Sequence, residues 1–167
     1  MGLVHIYCGD GKGKTSAAVG LAVRAAGCGK RVVIARFLKT DNSGEVEILK
    51  KIPEVTLIPC RKTFGFVRSM DEETKRECAA YHRELFGEAV KLAEHADLVV
   101  FDEIMAAVNY GMVPERDVLE FLENRPGRDQ TDGLEIVLTG RDPSEKLIAA
   151  ADYVSEICKR KHPFDRG

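Results

Sequence analysis

The sequence predicts an α/β fold in which a mostly parallel sheet is covered by helices on both faces. Short runs rich in β-branched residues alternate with longer amphipathic segments, and each run is apolar along nearly its whole length. Strands of a parallel sheet have this composition because crossover helices bury them on both faces. The predicted strands cover residues 3–7, 31–37, 55–58, 98–101, 135–138 and 153–157.

Three longer segments have the features of helices. Residues 16–26 are rich in alanine, and residues 71–95 place apolar side chains along one face, with Asp71 positioned to cap the first turn. A third helix is predicted to begin at Pro114 and to end before Pro126, since proline suits the first position of a helix and stops its interior. His82 lies on the apolar face of the second segment and is predicted to be a hydrogen-bonded core residue.

Length and composition indicate one globular domain covering residues 1–167. The 167 residues are enough to bury a core, and 44% hydrophobic with 31% charged residues is an ordinary globular balance. The 25 basic and 27 acidic side chains leave a net charge of -2, which provides no overall field to attract nucleic acid.

The cysteines and the apolar runs indicate a cytoplasmic protein without a membrane partner. Five widely spaced cysteines without a Cys-x-x-Cys pair argue against a disulfide framework or a zinc site and suit a reducing compartment. No apolar run approaches the roughly 18–20 residues of a membrane span, and the N-terminus lacks a signal sequence.

A glycine-rich loop follows the first predicted strand. Such a loop turns backbone N–H groups toward a phosphate, and the next helix presents the positive end of its dipole to the same anion. The spacing is close to that of a phosphate-binding P-loop, with Lys14 as the phosphate partner and Thr15 as the Mg²⁺ ligand, although Cys8 stands where the leading glycine is usual. A Rossmann loop is excluded because its third glycine would fall on Lys14. The pattern predicts a P-loop NTPase-like, RecA-like fold whose loop consists of Gly9, Asp10, Gly11, Lys12, Gly13, Lys14 and Thr15.

Charged residues follow three other predicted strands. Asp102 and Glu103 end the fourth strand, where one of them can complete a Mg²⁺ site with Thr15; an acidic helix cap is the alternative. Lys39 and Arg141 follow the second and fifth strands and are either phosphate contacts or surface charges.

Arg24, Phe64 and Phe66 are harder to assign from position alone. Arg24 lies nine residues after Thr15 in the same helix, a distance that favours a solvated helix charge. Phe64 and Phe66 lie in a loop flanked by basic residues, and they either fold back onto the core or line a site for a large apolar ligand. The basic run at residues 159–162 is predicted to be a solvated surface.

Together these motifs resemble the CobA/BtuR-type corrinoid adenosyltransferases. Their order and spacing carry the resemblance over nearly the whole chain, and members of that family also lack the first P-loop glycine. The matching segments are the glycine loop at residues 9–15 and residues 25–30, 37–39, 44–45, 102–103, 125–127, 139–141 and 161–165.

The resemblance implies transfer of the 5′-deoxyadenosyl group of ATP to the cobalt of a reduced corrinoid, cob(I)alamin or cobinamide, with release of triphosphate. It implies that ATP binds end for end relative to other P-loop proteins, with its terminal phosphate deep in the loop. It also implies a Mg²⁺ requirement, a reduced flavoprotein or similar electron donor, and a homodimer.

The same resemblance assigns roles to single residues. Residues 9–15 become the triphosphate cradle, Thr15 and Glu103 the Mg²⁺ ligands, and Arg24 a phosphate contact. Phe64 and Phe66 fall where the family places aromatic side chains beneath the corrin ring, although this chain has Phe-Gly-Phe where Gly-Phe-Thr-Trp is common.

Two other functions stay open from the residues. A P-loop ATPase or kinase would use Glu103 to position water or a hydroxyl at the γ-phosphate. A nucleotide-gated corrinoid carrier would bind both ligands without turnover.

Overall fold

The computed structural model describes residues 2–128 and 130–161. Six strands form one sheet in the order β3-β2-β4-β5-β1-β6, and every neighbouring pair is parallel. The predicted α/β fold is confirmed, with strand ends that differ from the prediction by at most one residue. The strands are β1 (Val4–Cys8), β2 (Val32–Arg36), β3 (Val55–Leu57), β4 (Leu98–Asp102), β5 (Glu135–Thr139) and β6 (Tyr153–Glu156).

Helices cover both faces of the sheet, as predicted, except at the edge strand β6, where all four residues are exposed. α1 (Lys14–Gly27) and α2 (Gly44–Leu49) pack on one face, where the small buried side chains of Ala18, Ala22 and Ala26 let α1 approach the strands closely. The other face is packed by α3 (Glu72–Ala93), α4 (Ile104–Asn109), α5 (Glu115–Glu123) and α6 (Glu145–Ala150).

The three long helices were predicted and the three short ones were not. α2, α4 and α6 have six residues each, which is too short for an apolar period of 3.6 residues to become apparent. Asp71 caps α3 as predicted, because its Oδ1 accepts a hydrogen bond from the Thr74 amide at 2.7 Å. Pro114 lies just before the first residue of α5 rather than at it.

The strand order brings the charged segments together. All strands are parallel, so their carboxyl ends share one edge, and only β5 separates β1 from β4. The glycine loop after β1, Asp102 at the end of β4 and Thr139 at the end of β5 therefore meet at that edge.

The Arg-Pro-Gly segment at residues 125–127 precedes β5 and lies at the opposite edge. Arg125 donates hydrogen bonds to the carbonyl oxygens of Leu122 at 2.6 Å and Gly2 at 2.9 Å. This motif therefore ties the end of α5 to the start of the chain.

Within residues 2–128 and 130–161, every helix is too short or too polar to span a bilayer.

Candidate functional site

The glycine loop makes its turn without the usual leading glycine. Cys8 is the last residue of β1 and is buried, and the turn begins at Gly9, whose φ of 102° favours glycine. Lys14 Nζ donates to the carbonyl oxygens of Gly9 at 2.7 Å and Gly11 at 2.8 Å. The ammonium group is therefore held against the loop that precedes α1.

A segment far along the chain packs on this loop. We call residues 157–161, which follow β6, the C-terminal strap. The amide of Gly11 donates to the carbonyl of Ile157 at 2.7 Å, and the amide of Lys159 donates to Asp10 Oδ1 at 2.8 Å. The latter bond lowers the pKa of Asp10. A Cβ atom on Gly9 or Gly11 would lie 2.5 Å from the carbonyl oxygen of Ile157. Because these two glycines have no Cβ atom, they leave room for the strap as well as allowing the loop to turn. Local sequence gives no sign of this contact.

The predicted metal ligand Asp102 lies at the centre of a buried hydroxyl network. It is 2% exposed, and its Oδ1 accepts hydrogen bonds from Thr15 Oγ1 at 3.0 Å and Thr139 Oγ1 at 2.7 Å. Lys39 Nζ donates to Thr15 Oγ1 at 2.7 Å and also bonds Asp102 Oδ2. The positively charged ammonium group of Lys39 therefore contacts a hydroxyl and a carboxylate. These are the hard oxygen donors that Mg²⁺ prefers. These residues fit a Mg²⁺ site.

Thr139 links this network to the second predicted acid. Its hydroxyl accepts a hydrogen bond from the amide of Glu103 at 2.8 Å while donating to Asp102. Glu103 has a left-handed φ of 63°, which ends β4 and turns the chain into α4. Thr139 lies in one of the motifs that carry the resemblance, but the sequence did not indicate that its hydroxyl bonds both the Asp102 carboxylate and the Glu103 amide.

Three clefts lie along this edge. The glycine-loop cleft, of about 480 Å³, is lined by residues 10–16, Glu103 and Arg141. The central cleft, of about 770 Å³, shares Thr15 and Ser16 with it and continues past Val19 and Gly20 to residues 38–40, 42–43 and 45. The aromatic cleft, of about 200 Å³, shares residues 38–40 with the central cleft and is otherwise lined by residues 62–66 and His82. The shared residues place the clefts in series.

The two predicted aromatic residues have different surroundings in the aromatic cleft. Phe66 is 86% exposed. Phe64 packs against Tyr81 and His82 of α3, with ring centroids 5.7 and 6.4 Å away, and lies under Lys62 Nζ at 4.8 Å. Phe64 therefore packs on the core, which was one of the two expectations drawn from the sequence. Both rings line the cleft, and a large apolar ligand there stays a prediction.

Hydrogen bonds hold this loop on α3. Arg61 pairs with Glu88 through both guanidinium nitrogens at 2.6 and 2.9 Å, and Lys62 pairs with Glu77 at 2.6 Å. The amide of Arg61 also donates to the hydroxyl of Tyr81 at 3.0 Å. The aromatic cleft is therefore preformed by contacts between the loop and the helix.

The predicted cations divide between the clefts and the rest of the surface. Lys12, Lys14 and Arg141 line the glycine-loop cleft, whereas Lys39 lines the central and aromatic clefts. Arg24 is exposed in the last turn of α1 and is absent from the lining of all three clefts. Its contact with phosphate stays a prediction from the resemblance.

The comparison with protein families agrees with this geometry. The family model described as ATP:corrinoid adenosyltransferase BtuR/CobO/CobP matches residues 1–167. The chain belongs to this family. The resemblance predicted from the motifs is confirmed, although its segment at residues 161–165 lies mostly outside the described residues.

Curated relatives are similar over almost the entire chain. The corrinoid adenosyltransferase of Escherichia coli K12 is 34% identical over 169 residues, covering 99% of this chain and 81% of the relative. Corrinoid adenosyltransferase CobA of Salmonella typhimurium LT2 is 34% identical over 168 residues, with the same coverage of both chains. Among solved structures, a KaiC-like protein of Pyrococcus horikoshii OT3 has a TM-score of 0.49 at 16% identity, over 96% of this chain and 74% of that chain.

Proposed function

We propose that this member of the ATP:corrinoid adenosyltransferase family transfers the 5′-deoxyadenosyl group of ATP to the cobalt of a reduced corrinoid and releases triphosphate. The observation that carries the proposal is the serial arrangement of the three clefts at the carboxyl edge of the sheet. A phosphate site, a larger central space and an aromatic site follow one another, as a reaction between a nucleotide and a flat apolar ring requires.

ATP binds with its triphosphate in the glycine-loop cleft and its nucleoside in the central cleft. The terminal phosphate then lies deepest in the loop, and C5′ faces the aromatic cleft. Lys14, Lys12 and Arg141 offset the triphosphate charge at the cleft that they line. The amide of Gly11 already donates a hydrogen bond to the strap. The amides that follow it at the start of α1 are therefore the ones that contact the phosphates.

The reaction needs alignment and charge neutralisation more than proton transfer. Cobalt(I) supplies the electron pair of the new cobalt–carbon bond, the C5′–O bond breaks, and triphosphate leaves with the electrons of that bond. No general base is needed, so the protein contributes by placing C5′ on the cobalt and stabilising the leaving charge.

Thr15, Asp102 and Glu103 are the side chains that would hold Mg²⁺. The metal would supply charge neutralisation to the triphosphate. Lys39, which bonds Thr15 and Asp102, lines the central cleft and is the proposed contact for the phosphate nearest C5′.

Phe64 and Phe66 are proposed to cover the lower face of the corrin ring. An aromatic surface there excludes a lower axial ligand, and four-coordinate cobalt(II) is easier to reduce to the nucleophilic cobalt(I). The exposed ring of Phe66 is the more available of the two.

The resemblance supports the remaining parts of the proposal. They are a role in cobalamin biosynthesis, a single domain over residues 1–167, a homodimer, a cytoplasmic location and a reduced flavoprotein or similar electron donor.

A product assay tests the function directly. With ATP, Mg²⁺ and chemically reduced cob(I)inamide, we expect triphosphate and a photolabile cobalt–carbon product in equal amounts. ADP or orthophosphate without an alkylated corrinoid would instead indicate the ATPase or kinase alternative.

Lys14→Ala separates an enzyme from a corrinoid carrier. Loss of a charged group that stabilises the leaving triphosphate should lower kcat/KM by about 10²–10³. Lys75→Ala removes a half-buried lysine that pairs with Glu72 on α3 and should match the wild-type rate. A carrier would show no product in any variant and would lose only nucleotide binding in Lys14→Ala.

A further inference from the structure

Arg36 is a buried charged side chain at the carboxyl end of β2. Its side chain is 2% exposed. The guanidinium group donates through Nη1 to the carbonyl oxygen of Thr40 at 2.9 Å and pairs through Nη2 with the carboxylate of Asp41. Because a buried charge needs a partner, Arg36 holds these two residues of the following loop close to the end of the strand.

That loop begins with a strained turn. We call residues 38–42, which follow β2, the central loop. Leu38 has a left-handed φ of 52°, a backbone conformation that a non-glycine residue keeps only where neighbouring contacts hold it. The hydrogen bonds from Arg36 to Thr40 and Asp41 supply such contacts directly after the turn.

Asp41 connects the central loop to the aromatic loop, residues 60–66. Its two carboxylate oxygens accept hydrogen bonds from the amide of Cys60 at 3.3 and 3.4 Å. The thiol of Cys60 donates in turn to the carbonyl oxygens of Lys39 at 3.0 Å and Lys62 at 3.4 Å. One carboxylate and one thiol thus join two loops that lie 19–21 residues apart in sequence.

The two loops line the two clefts between which the proposed reaction takes place. Residues 38–40 line both the central and the aromatic cleft, and residues 62–66 line the aromatic cleft. Lys39 also extends its ammonium group to the proposed Mg²⁺ site. Asp41 is not among the lining residues of either cleft, so its influence on the substrates passes through the loops that it joins.

We propose that Asp41 is a positioning residue that, held by the buried guanidinium group of Arg36, sets the distance between the nucleoside in the central cleft and the corrin ring at the aromatic loop. This assignment rests on the proposed function and deepens it. Asp41 takes no part in bond making. A shift of about 1 Å between the loops should slow bond formation while each substrate still binds in its own cleft.

Steady-state adenosylation of chemically reduced cob(I)inamide tests the assignment. Asp41→Ala removes the carboxylate that joins Arg36 to the amide of Cys60. It should lower kcat by about 10–100-fold while the KM values for ATP and cob(I)inamide stay within about threefold. Higher KM values with an unchanged kcat would show that the loops serve binding and not alignment, which contradicts the assignment.

Asp97→Ala is the matched control. The side chain of Asp97 is 27% exposed against 29% for Asp41, and its Oδ2 likewise accepts hydrogen bonds from a backbone amide and an arginine side chain, both of Arg31. Asp97 precedes β4 and therefore lies at the opposite edge of the sheet from the clefts. Asp97→Ala should leave kcat within about twofold. An equal fall of kcat in both variants would indicate a general loss of stability and would overturn the assignment.

The Cys60 variants decide the question if Asp41→Ala does not fold once Arg36 has lost its carboxylate. Cys60→Ala removes both thiol hydrogen bonds and should lower kcat about fivefold. Cys60→Ser restores a donor and should recover most of the rate. A wild-type kcat in Cys60→Ala would be the contrary result.

Hydrogen–deuterium exchange of the free protein gives a reading that does not depend on turnover. In folded Asp41→Ala or Cys60→Ala, amides of the aromatic loop should exchange at least about tenfold faster than in the wild type. Asp97→Ala should leave them within about twofold. Unchanged exchange in the first two variants would reject the link between the loops. If the wild type fails to adenosylate cob(I)inamide, the proposed function is rejected, and the exchange rates still test the link.

Discussion

At the scale of single residues, Asp102 and Glu103 are adjacent but have different surroundings. Asp102 is buried and bonded to two threonine hydroxyls, whereas Glu103 lines the glycine-loop cleft. The left-handed φ of Glu103 separates them, because it turns the chain out of the sheet directly after Asp102. Sequence reasoning indicated an acidic pair at this point and left the choice between its members open.

Phe66→Ala tests the role proposed for the exposed aromatic residue. If the ring excludes a lower axial ligand, the variant should slow the reaction starting from cobalt(II) at least about tenfold more than the reaction starting from chemically prepared cobalt(I). Anaerobic assays that follow formation of the cobalt–carbon product measure both rates. Equal losses from the two starting states would remove the proposed role.

Protein stability provides the control for that variant. Because Phe66 is 86% exposed, Phe66→Ala should change the free energy of unfolding by less than about 0.5 kcal/mol. Phe64 packs on Tyr81 and His82, so Phe64→Ala should cost about 2 kcal/mol.

At the scale of elements, the C-terminal strap and the glycine loop form one unit. Backbone hydrogen bonds join Gly11 to Ile157 and Ile157 to Cys8, and the Asp10 carboxylate caps the amide of Lys159. The loop therefore takes its shape from a segment about 150 residues away in sequence as well as from its own glycines. The basic run at residues 159–162 was predicted to be a solvated surface. The side chains of residues 159–161 are exposed, and the amide of Lys159 anchors the backbone of the run to the loop.

Gly11→Ala tests this contact between loop and strap. The added Cβ would meet the carbonyl oxygen of Ile157 at 2.5 Å, and backbone on both sides would have to shift. We expect a loss of about 1–3 kcal/mol in the free energy of unfolding. We also expect weaker binding of MgATP, measured by calorimetric titration.

Gly87→Ala is the matched control for this substitution. Gly87 lies in α3 with open space at its Cβ position, so alanine should stabilise the protein by up to about 1 kcal/mol and leave MgATP binding unchanged. Similar ATP affinities for Gly11→Ala and the wild type would show that the strap does not shape the nucleotide site.

At the scale of the whole molecule, one sheet joins two layers of helices. The sheet contributes to a buried cluster on each face, and the clefts lie where its strands end. Because the two clusters share the same strands, neither layer can unfold while the other keeps its packing surface. We therefore expect heat or urea to unfold the chain in a single transition.

MgATP should shift that transition upward. Nucleotide at 100 times its Kd stabilises the folded state by about 2.7 kcal/mol, which corresponds to about 5–10 °C for a domain of this size. Scanning calorimetry with MgATP, with ATP plus EDTA and with Mg²⁺ alone separates the contributions. A full shift with ATP and EDTA would contradict the Mg²⁺ site proposed at Thr15, Asp102 and Glu103.

The sequence alone was sufficient for the fold class, the six strands, the long helices, the glycine loop and the family. These features depend on local patterns: continuous apolar runs mark buried strands, a 3.6-residue period marks long helices, and phosphate-binding loops need glycines at close spacing. The short helices α2, α4 and α6 were missed because six residues do not span two helical turns.

Only the tertiary structure decided which residues share a site. The contacts of Asp102 with Thr139, of Gly11 with Ile157, and of Phe64 with His82 join segments that are distant in sequence. The hydrogen bond predicted for His82 is absent among the described residues, because α3 packs its buried Nδ1 among phenyl and phenol rings. Such pairings follow from strand order and side-chain packing, which depend on the whole chain at once, so no local pattern of residues encodes them.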